Sequence, residues 1–318
     1  DLVRSRGLGD VYKRQILYCV VFCCVTMSCH TGIESTKTIK LSRSERRQIE
    51  ISPEEKLMEV LKVPKLGEWE PGKRFLVSDN RASLVFDPNS VNPEEAKLGG
   101  KTIEYAGVTM KTTPGGSDEA VIVFRNGSNT LQYSTGKSLE YAGKAISSMD
   151  VPMLIDLELV DSVRDLLVGR KVWTRSQLWY DFDGTRIDGR KFVPVEITDV
   201  RPGTMVFPLC INITDEKGAP AMLYMNVGTA GMESRTFQNI FSLSDPKERY
   251  PGIDKEVWSL IQQGKVRLGM TKEECKLSLG NPTDVNSGHD WNSTIDFWQY
   301  PNGSYLRFQD GLLVSFRN

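Results

Sequence analysis

The sequence predicts an α+β protein. The expected architecture is a β-rich body made of two similar small β modules, followed by a C-terminal module of two helices and three antiparallel strands. Three observations carry that expectation. From Gly67 to about Leu243 the hydrophobic period is the twofold alternation of strands, broken at short intervals by turn residues. Within this stretch a series of short segments recurs in the same order. After Pro251 the period turns helical twice and then alternates again, with Asn302-Gly303 and Asp310-Gly311 as hairpin signals.

The totals set the bounds. A chain of 318 residues has room for two or three compact domains. Its 40 basic residues nearly cancel its 41 acidic ones, and no long basic run marks a nucleic-acid surface. Of six cysteines, Cys19, Cys23, Cys24 and Cys29 fall in or just after an apolar N-terminal run, leaving Cys210 and Cys275 as singles. Isolated cysteines of this kind read as small buried hydrophobes. His30 and His289 are the only histidines, too few for an imidazole metal cluster. No metal, cofactor or catalytic group is expected.

Asp1–Gln15 (DLVRSRGLGDVYKRQ) resembles translated sequencing-adapter read-through and is set aside from fold reasoning. The alternative is a basic leader, with Arg4, Arg6, Lys13 and Arg14. Ile16–Met27 is apolar but too short to span a bilayer, which takes about 20 helical residues. With Ser28 it reads as the hydrophobic region of an export signal, residues 16–28. Ser28-Cys29 then has the form of a lipoprotein cleavage site, with Thr26 where such signals usually carry leucine. The expectation is a lipid anchor on Cys29, its acyl chains holding the chain on a membrane. A soluble secreted form cut nearby is the alternative. Residues 29–51 are polar, without a sustained period, and read as a tether.

The first β-rich module, residues 52–150, opens with a short helix. Ser52 caps it, Pro53 fits its first turn, Glu55 closes a capping box, and Leu57, Val60 and Leu61 form its apolar face. Strands are expected at Arg74–Ser78, Ser83–Phe86, Lys101–Tyr105, Ala120–Phe124 and Thr130–Tyr133. The second module, residues 151–250, opens with a helix over Ile155–Val168 stopped by Gly169. Its strands are expected at Lys171–Thr174, Gln177–Phe182, Lys191–Val200, Met205–Ile213 and Ala221–Val227. Gly72-Lys73-Arg74-Phe75 is similar to Gly169-Arg170-Lys171-Val172, and a Pro-Gly turn follows in each half. Duplication of a half-open barrel or small sandwich accounts for this. Asp181-Phe182-Asp183-Gly184 hints at a calcium loop but lacks the late bidentate glutamate, so it reads as a hairpin turn. Pro114-Gly115-Gly116 lacks the Lys-Ser/Thr of a phosphate loop and reads as a turn.

In residues 251–318, Pro251 begins a helix with Ile253, Val257, Leu260 and Ile261 on one face, stopped by Gly264. Thr271 caps a second helix, Glu274 closes its capping box, and Gly280 and Pro282 end it. Strands follow at Thr294–Tyr300, Ser304–Phe308 and Leu312–Phe316, with His289 and Asp290 in a preceding loop, Asn286–Asn292. Gly264, Gly269-Met270-Thr271 with Glu274, Leu279-Gly280-Asn281-Pro282, Trp298, Tyr300 and Asp310-Gly311 together resemble the BamE family (SmpA/OmlA type). These are small lipoproteins of the Gram-negative outer membrane. The resemblance covers about the last seventy residues and implies a non-enzymatic module contacting protein or lipid.

The expected function is therefore a lipid-anchored envelope lipoprotein that scaffolds or docks onto another envelope component. Trp298, Tyr300 and Tyr305 are the candidate contact patch. One alternative is a small-ligand-binding lipoprotein with its site between the two β halves. The other is a hydrolase using Cys275 or Cys210 with His289, for which no third group orients the histidine.

Overall fold

The computed structural model describes residues 51–91, 97–113, 115–227, 235–290 and 292–317. The chain divides into two units, Asp1–Ile51 and Ser52–Asn318. The adapter-like start, the export signal, Cys29 and the tether as far as Glu50 lie outside the described residues. The fold of the second unit is α+β, with three antiparallel sheets and a few short helices.

Helix α1 (Pro53–Met58) is set by the expected capping box. Ser52 Oγ accepts from the Glu55 amide, and the Glu55 carboxylate accepts from the Ser52 amide. Leu57 and Leu61 pack on the core beneath the second sheet, whereas Val60 is exposed. Buried Glu54 fixes this docking: its Oε1 accepts from the Leu243 amide at 2.9 Å and from Ser242 Oγ at 3.3 Å.

The first sheet contains β1 (Arg74–Val77), β2 (Thr102–Thr112), β3 (Asp118–Asn126), β4 (Asn129–Ser134) and β5 (Leu154–Asp156), in the order β4-β3-β2-β1-β5. Helix α2 (Leu139–Ala145) connects β4 towards β5. The strand expected at Ser83–Phe86 is instead part of a 3-10 turn, Asn80–Leu84. Asp79 caps that turn by accepting from the Arg81 amide, which starts a helical turn where an extended chain is expected.

Helix α3 (Leu157–Leu167) follows β5 directly. Asp156 caps it through the amides of Glu158 and Leu159, and Leu159, Val160, Val163 and Leu167 form its buried face. The second sheet contains β6 (Lys171–Thr174), β7 (Leu178–Tyr180), β8 (Arg186–Asp188), β9 (Pro194–Pro202), β10 (Leu209–Asp215), β11 (Pro220–Met225) and β12 (Phe241–Ser242), the last preceded by the single-turn helix α4 (Phe237–Ile240). Its order is β12-β6-β9-β10-β11-β7-β8. The β7–β8 hairpin is added at the β11 edge, and its turn is closed by Asp181, which accepts from the Asp183 and Thr185 amides.

Without that hairpin, the second sheet reads β11-β10-β9-β6-β12, the same order as β4-β3-β2-β1-β5 in the first. The recurring Gly-basic-basic motif has the same job in both. Gly72 (φ 95°) and Gly169 (φ 81°) are left-handed, which a side chain disfavours. Gly72 donates its amide to Tyr105 O on β2 at 2.7 Å, and Gly169 donates to Ile197 O on β9 at 2.8 Å. Both sheets are open, with free edge strands at β4 and β5 in the first and at β8 and β12 in the second.

In the C-terminal module, α5 (Lys255–Gln262) begins after Asp254, four residues later than Pro251 suggests. Helix α6 (Lys272–Leu279) has the complete Thr271/Glu274 capping box, with Gly280 at its C-cap at φ 90°. Three strands are expected and four form: β13 (Asp284–Asp290), β14 (Ser293–Gln299), β15 (Tyr305–Gln309) and β16 (Leu312–Arg317), in that order. The added strand, β13, contains His289. Its sequence DVNSGHD lacks apolar alternation because it is an exposed edge held by its backbone ladder to β14. Phe192, on the approach to β9, is buried in this module's core and meets Trp258 edge-to-face at 5.9 Å.

Candidate functional site

The structure separates the three expected contact aromatics. Trp298 is 4% exposed and Tyr300 9%, while Tyr305 is 39% exposed. Trp298 packs on Phe308 with ring centroids 4.6 Å apart, and Tyr300 Oη donates to Gly280 O at 3.3 Å. These two are core residues of the module. Burial pushes the Tyr300 hydroxyl up to about 12. The outer face of the sheet instead presents Phe297, Tyr305 and Leu312, with the Arg307 guanidinium 5.8 Å from the Phe297 ring centroid. A shallow groove of about 450 Å³ lies at Phe297 and Tyr305.

Both described cysteines are free and buried. Burial is the main cause that raises the Cys275 thiol to about 12, with Glu274 adding to it. Cys210 is raised by burial too, and its sulfur lies 3.5 Å from Met222 Sδ. Thiols tuned this way stay protonated at neutral pH, the opposite of an activated nucleophile. Among the described residues, no group of three His, Cys, Asp or Glu side chains is placed to hold a metal ion.

A cleft whose lining residues the sequence does not single out lies where the first two sheets meet, the place expected for a small-ligand site. The segment between α2 and α3 and the β9–β10 turn together line a cleft of about 460 Å³, within the usual range for small-molecule sites. Met149, Met153 and Met205 supply its adaptable apolar surface. Met153 has φ 61°, rare for a methionine, and is held there by Ser78, which donates its amide and its hydroxyl to Met153 O.

The polar lining is the informative part. Ser148 is 1% exposed and Asn226 7%, and both line the cleft. Ser148 Oγ and Asn226 Oδ1 have no hydrogen-bond partner among the described residues. Each such buried group costs about 1–3 kcal/mol when left unsatisfied. Asp156 lies on the same wall, but its carboxylate is fully engaged. Lys73 Nζ is 2.9 Å from Oδ1 and 2.8 Å from Oδ2, and Oδ1 also caps α3. Two of the residues lining the cleft thus carry a buried polar atom without a partner, in a partly apolar setting.

No protein-family model matches the chain, and no curated protein is significantly similar to it. No described helix is long and apolar enough to cross a membrane. The assignment of a site therefore rests on geometry. Ser148 and Asn226 are far apart in sequence, and neither sits in a recognisable motif. Their only advance signal is the expectation that a ligand site falls between the two β halves.

Proposed function

We propose that this protein is a non-catalytic binding protein of the cell envelope, held on the outer membrane through an acylated Cys29. Its cleft between the first two sheets takes a small ligand with an apolar body and a hydrogen-bonding polar head. The observation that carries this reading is the pair of buried, unpartnered polar atoms, Ser148 Oγ and Asn226 Oδ1, on a methionine-lined cleft. Turning either side chain towards the cleft would let a ligand hydroxyl or amide satisfy it and remove its desolvation cost.

The test is native mass spectrometry of the full chain purified in mild detergent, followed by extraction of any bound compound. A defined small molecule is expected on the wild-type protein and absent from a Ser148→Val/Asn226→Leu variant. An empty wild-type protein that no compound stabilises across a broad small-molecule library would overturn the proposal.

Docking onto an envelope protein is the second reading. It is supported by the uncovered aromatic face at Phe297 and Tyr305 and by the resemblance of the last seventy residues to a family of outer-membrane lipoproteins. Deleting residues 251–318 is a poor test, because it strips the core around Phe192. Phe297→Glu and Tyr305→Glu alter the exposed face alone. Loss of co-purifying envelope proteins in these variants supports docking; an unchanged set of partners removes it.

A further inference from the structure

A second cleft, of about 700 Å³, lies between the second sheet and the C-terminal module. It owes nothing to the residues of the first. Four cationic side chains line it, Arg175, Lys191, Arg249 and Lys276, against two carboxylates, Asp245 and Glu248. They come from the end of β6, the approach to β9, the turn after β12, and α6.

Their partners are unequal. Arg175 donates to Gln238 O at 2.9 Å and lies 4.0 Å from Glu54. Lys191 Nζ donates to Ser278 O at 2.6 Å, near the C-terminal end of α6, and gains no carboxylate. Burial lowers its ammonium to about 8, so its positive charge is under-compensated where it sits. Arg249 and Lys276 are exposed, and neither has a carboxylate within ion-pair distance among the described residues. Lys276 lies over the Trp298 ring at 5.5 Å. Asp245 is occupied in capping its own turn through the Lys247 amide.

We propose that this cleft binds a small anion carrying two or more phosphate or carboxylate groups, gripped by Arg249 and Lys276 and facing Lys191. Three cations on separate segments suit a ligand with several anionic groups better than a single point charge. Charge is therefore the basis of the proposed recognition, because the neutral Ser242 at the same cleft is buried and already bonded to Glu54. Occupancy would clamp the C-terminal module to the second sheet, because Lys276 belongs to one and Arg249 to the segment leaving the other.

The experiment is calorimetric titration of the full chain with pyrophosphate, with citrate, and with mixed phosphatidylcholine–phosphatidic acid vesicles. Saturable binding by at least one is expected. Pyrophosphate alone marks a soluble phosphate ligand, citrate as well marks a general polyanion site, and vesicles alone mark a lipid headgroup; each supports the proposal. Arg249→Gln and Lys276→Gln should each weaken binding about tenfold or more, since a hydrogen bond to a charged group contributes about 1.5–3 kcal/mol. Both residues are exposed, so the unliganded melting temperature should hold for Arg249→Gln and fall only slightly for Lys276→Gln, which loses its contact over the Trp298 ring. The bound anion should also protect Lys191 from acetylation, read by peptide mass spectrometry. Absence of saturable binding in all three titrations, or undiminished binding by the double variant, overturns the proposal.

Discussion

Replacing Lys73 with methionine should be among the most damaging single changes in this chain, and the geometry around its ammonium shows why. Lys73 Nζ sits 2.8 and 2.9 Å from the two oxygens of Asp156 and 2.7 Å from Glu158 Oε2. Lys73 and Asp156 are almost fully buried, whereas Glu158 is half exposed. At such a distance the attraction is about 6 kcal/mol for an effective dielectric of 20. Desolvating each ion costs several kcal/mol, so the pair is close to neutral overall. Removing only the lysine leaves the Asp156 carboxylate buried with nothing but the Glu158 and Leu159 amides, at a cost of about 3–5 kcal/mol. Asp156→Asn alone should cost less, because Lys73 keeps Glu158 and the asparagine oxygen still caps α3. The double variant Lys73→Met/Asp156→Asn should therefore be more stable than Lys73→Met, by about 2 kcal/mol, because the stranded charge is gone. Urea unfolding of the four proteins, followed by far-UV circular dichroism, measures the cycle. If the two single effects simply add, the carboxylate was not the stranded group and the explanation fails.

Thr271→Ala should cost about 1 kcal/mol, since the Glu274 amide loses the hydroxyl it donates to while the Thr271 amide keeps the Glu274 carboxylate; Thr271→Ser should be close to neutral in the same unfolding assay. Lys191 gives a pH dependence with a definite sign. Its folded pKa, about 8, lies below the ordinary 10.5, so between those values the unfolded chain binds the extra proton. Stability from this group therefore rises as pH climbs from about 8 to 10.5 and is lost as pH falls back through 8. Subtracting the profile of Lys191→Met from that of the wild type isolates it from tyrosines titrating nearby, and a flat difference would show that the ammonium is not desolvated.

Features set by neighbours in sequence are legible without the structure. Both capping boxes, at Ser52/Glu55 and Thr271/Glu274, form as expected, and Asp310-Gly311 makes its hairpin with both residues at positive φ. The contact patch is not legible, for a specific reason. The strand Ile295-Asp296-Phe297-Trp298-Gln299 carries an aromatic on each face, so alternation alone leaves open which one meets the helices. The structure turns Trp298 inward and Phe297 outward, and buries Asp296 beside Trp298's side of the sheet, where Lys272 and Ser287 hold its carboxyl below the usual range. The edge strand β13 is invisible because hydrogen bonding defines it rather than burial. The cleft's place between the two β halves is legible but its residues are not, because its two orphaned groups come from distant segments that meet only after both sheets have formed.

The docking of α1 has a mechanical consequence. The helix that opens the described unit leads in sequence to the first sheet, yet Glu54 ties it to Ser242 and Leu243 at the far end of the second. A pull applied to the chain at Ser52 is thus resisted first at β12, through the Glu54 contacts, before it reaches β1. Tension entering at Ser52 would fall on the second sheet first, leaving the first sheet, with its share of the methionine-lined cleft, sheltered from it.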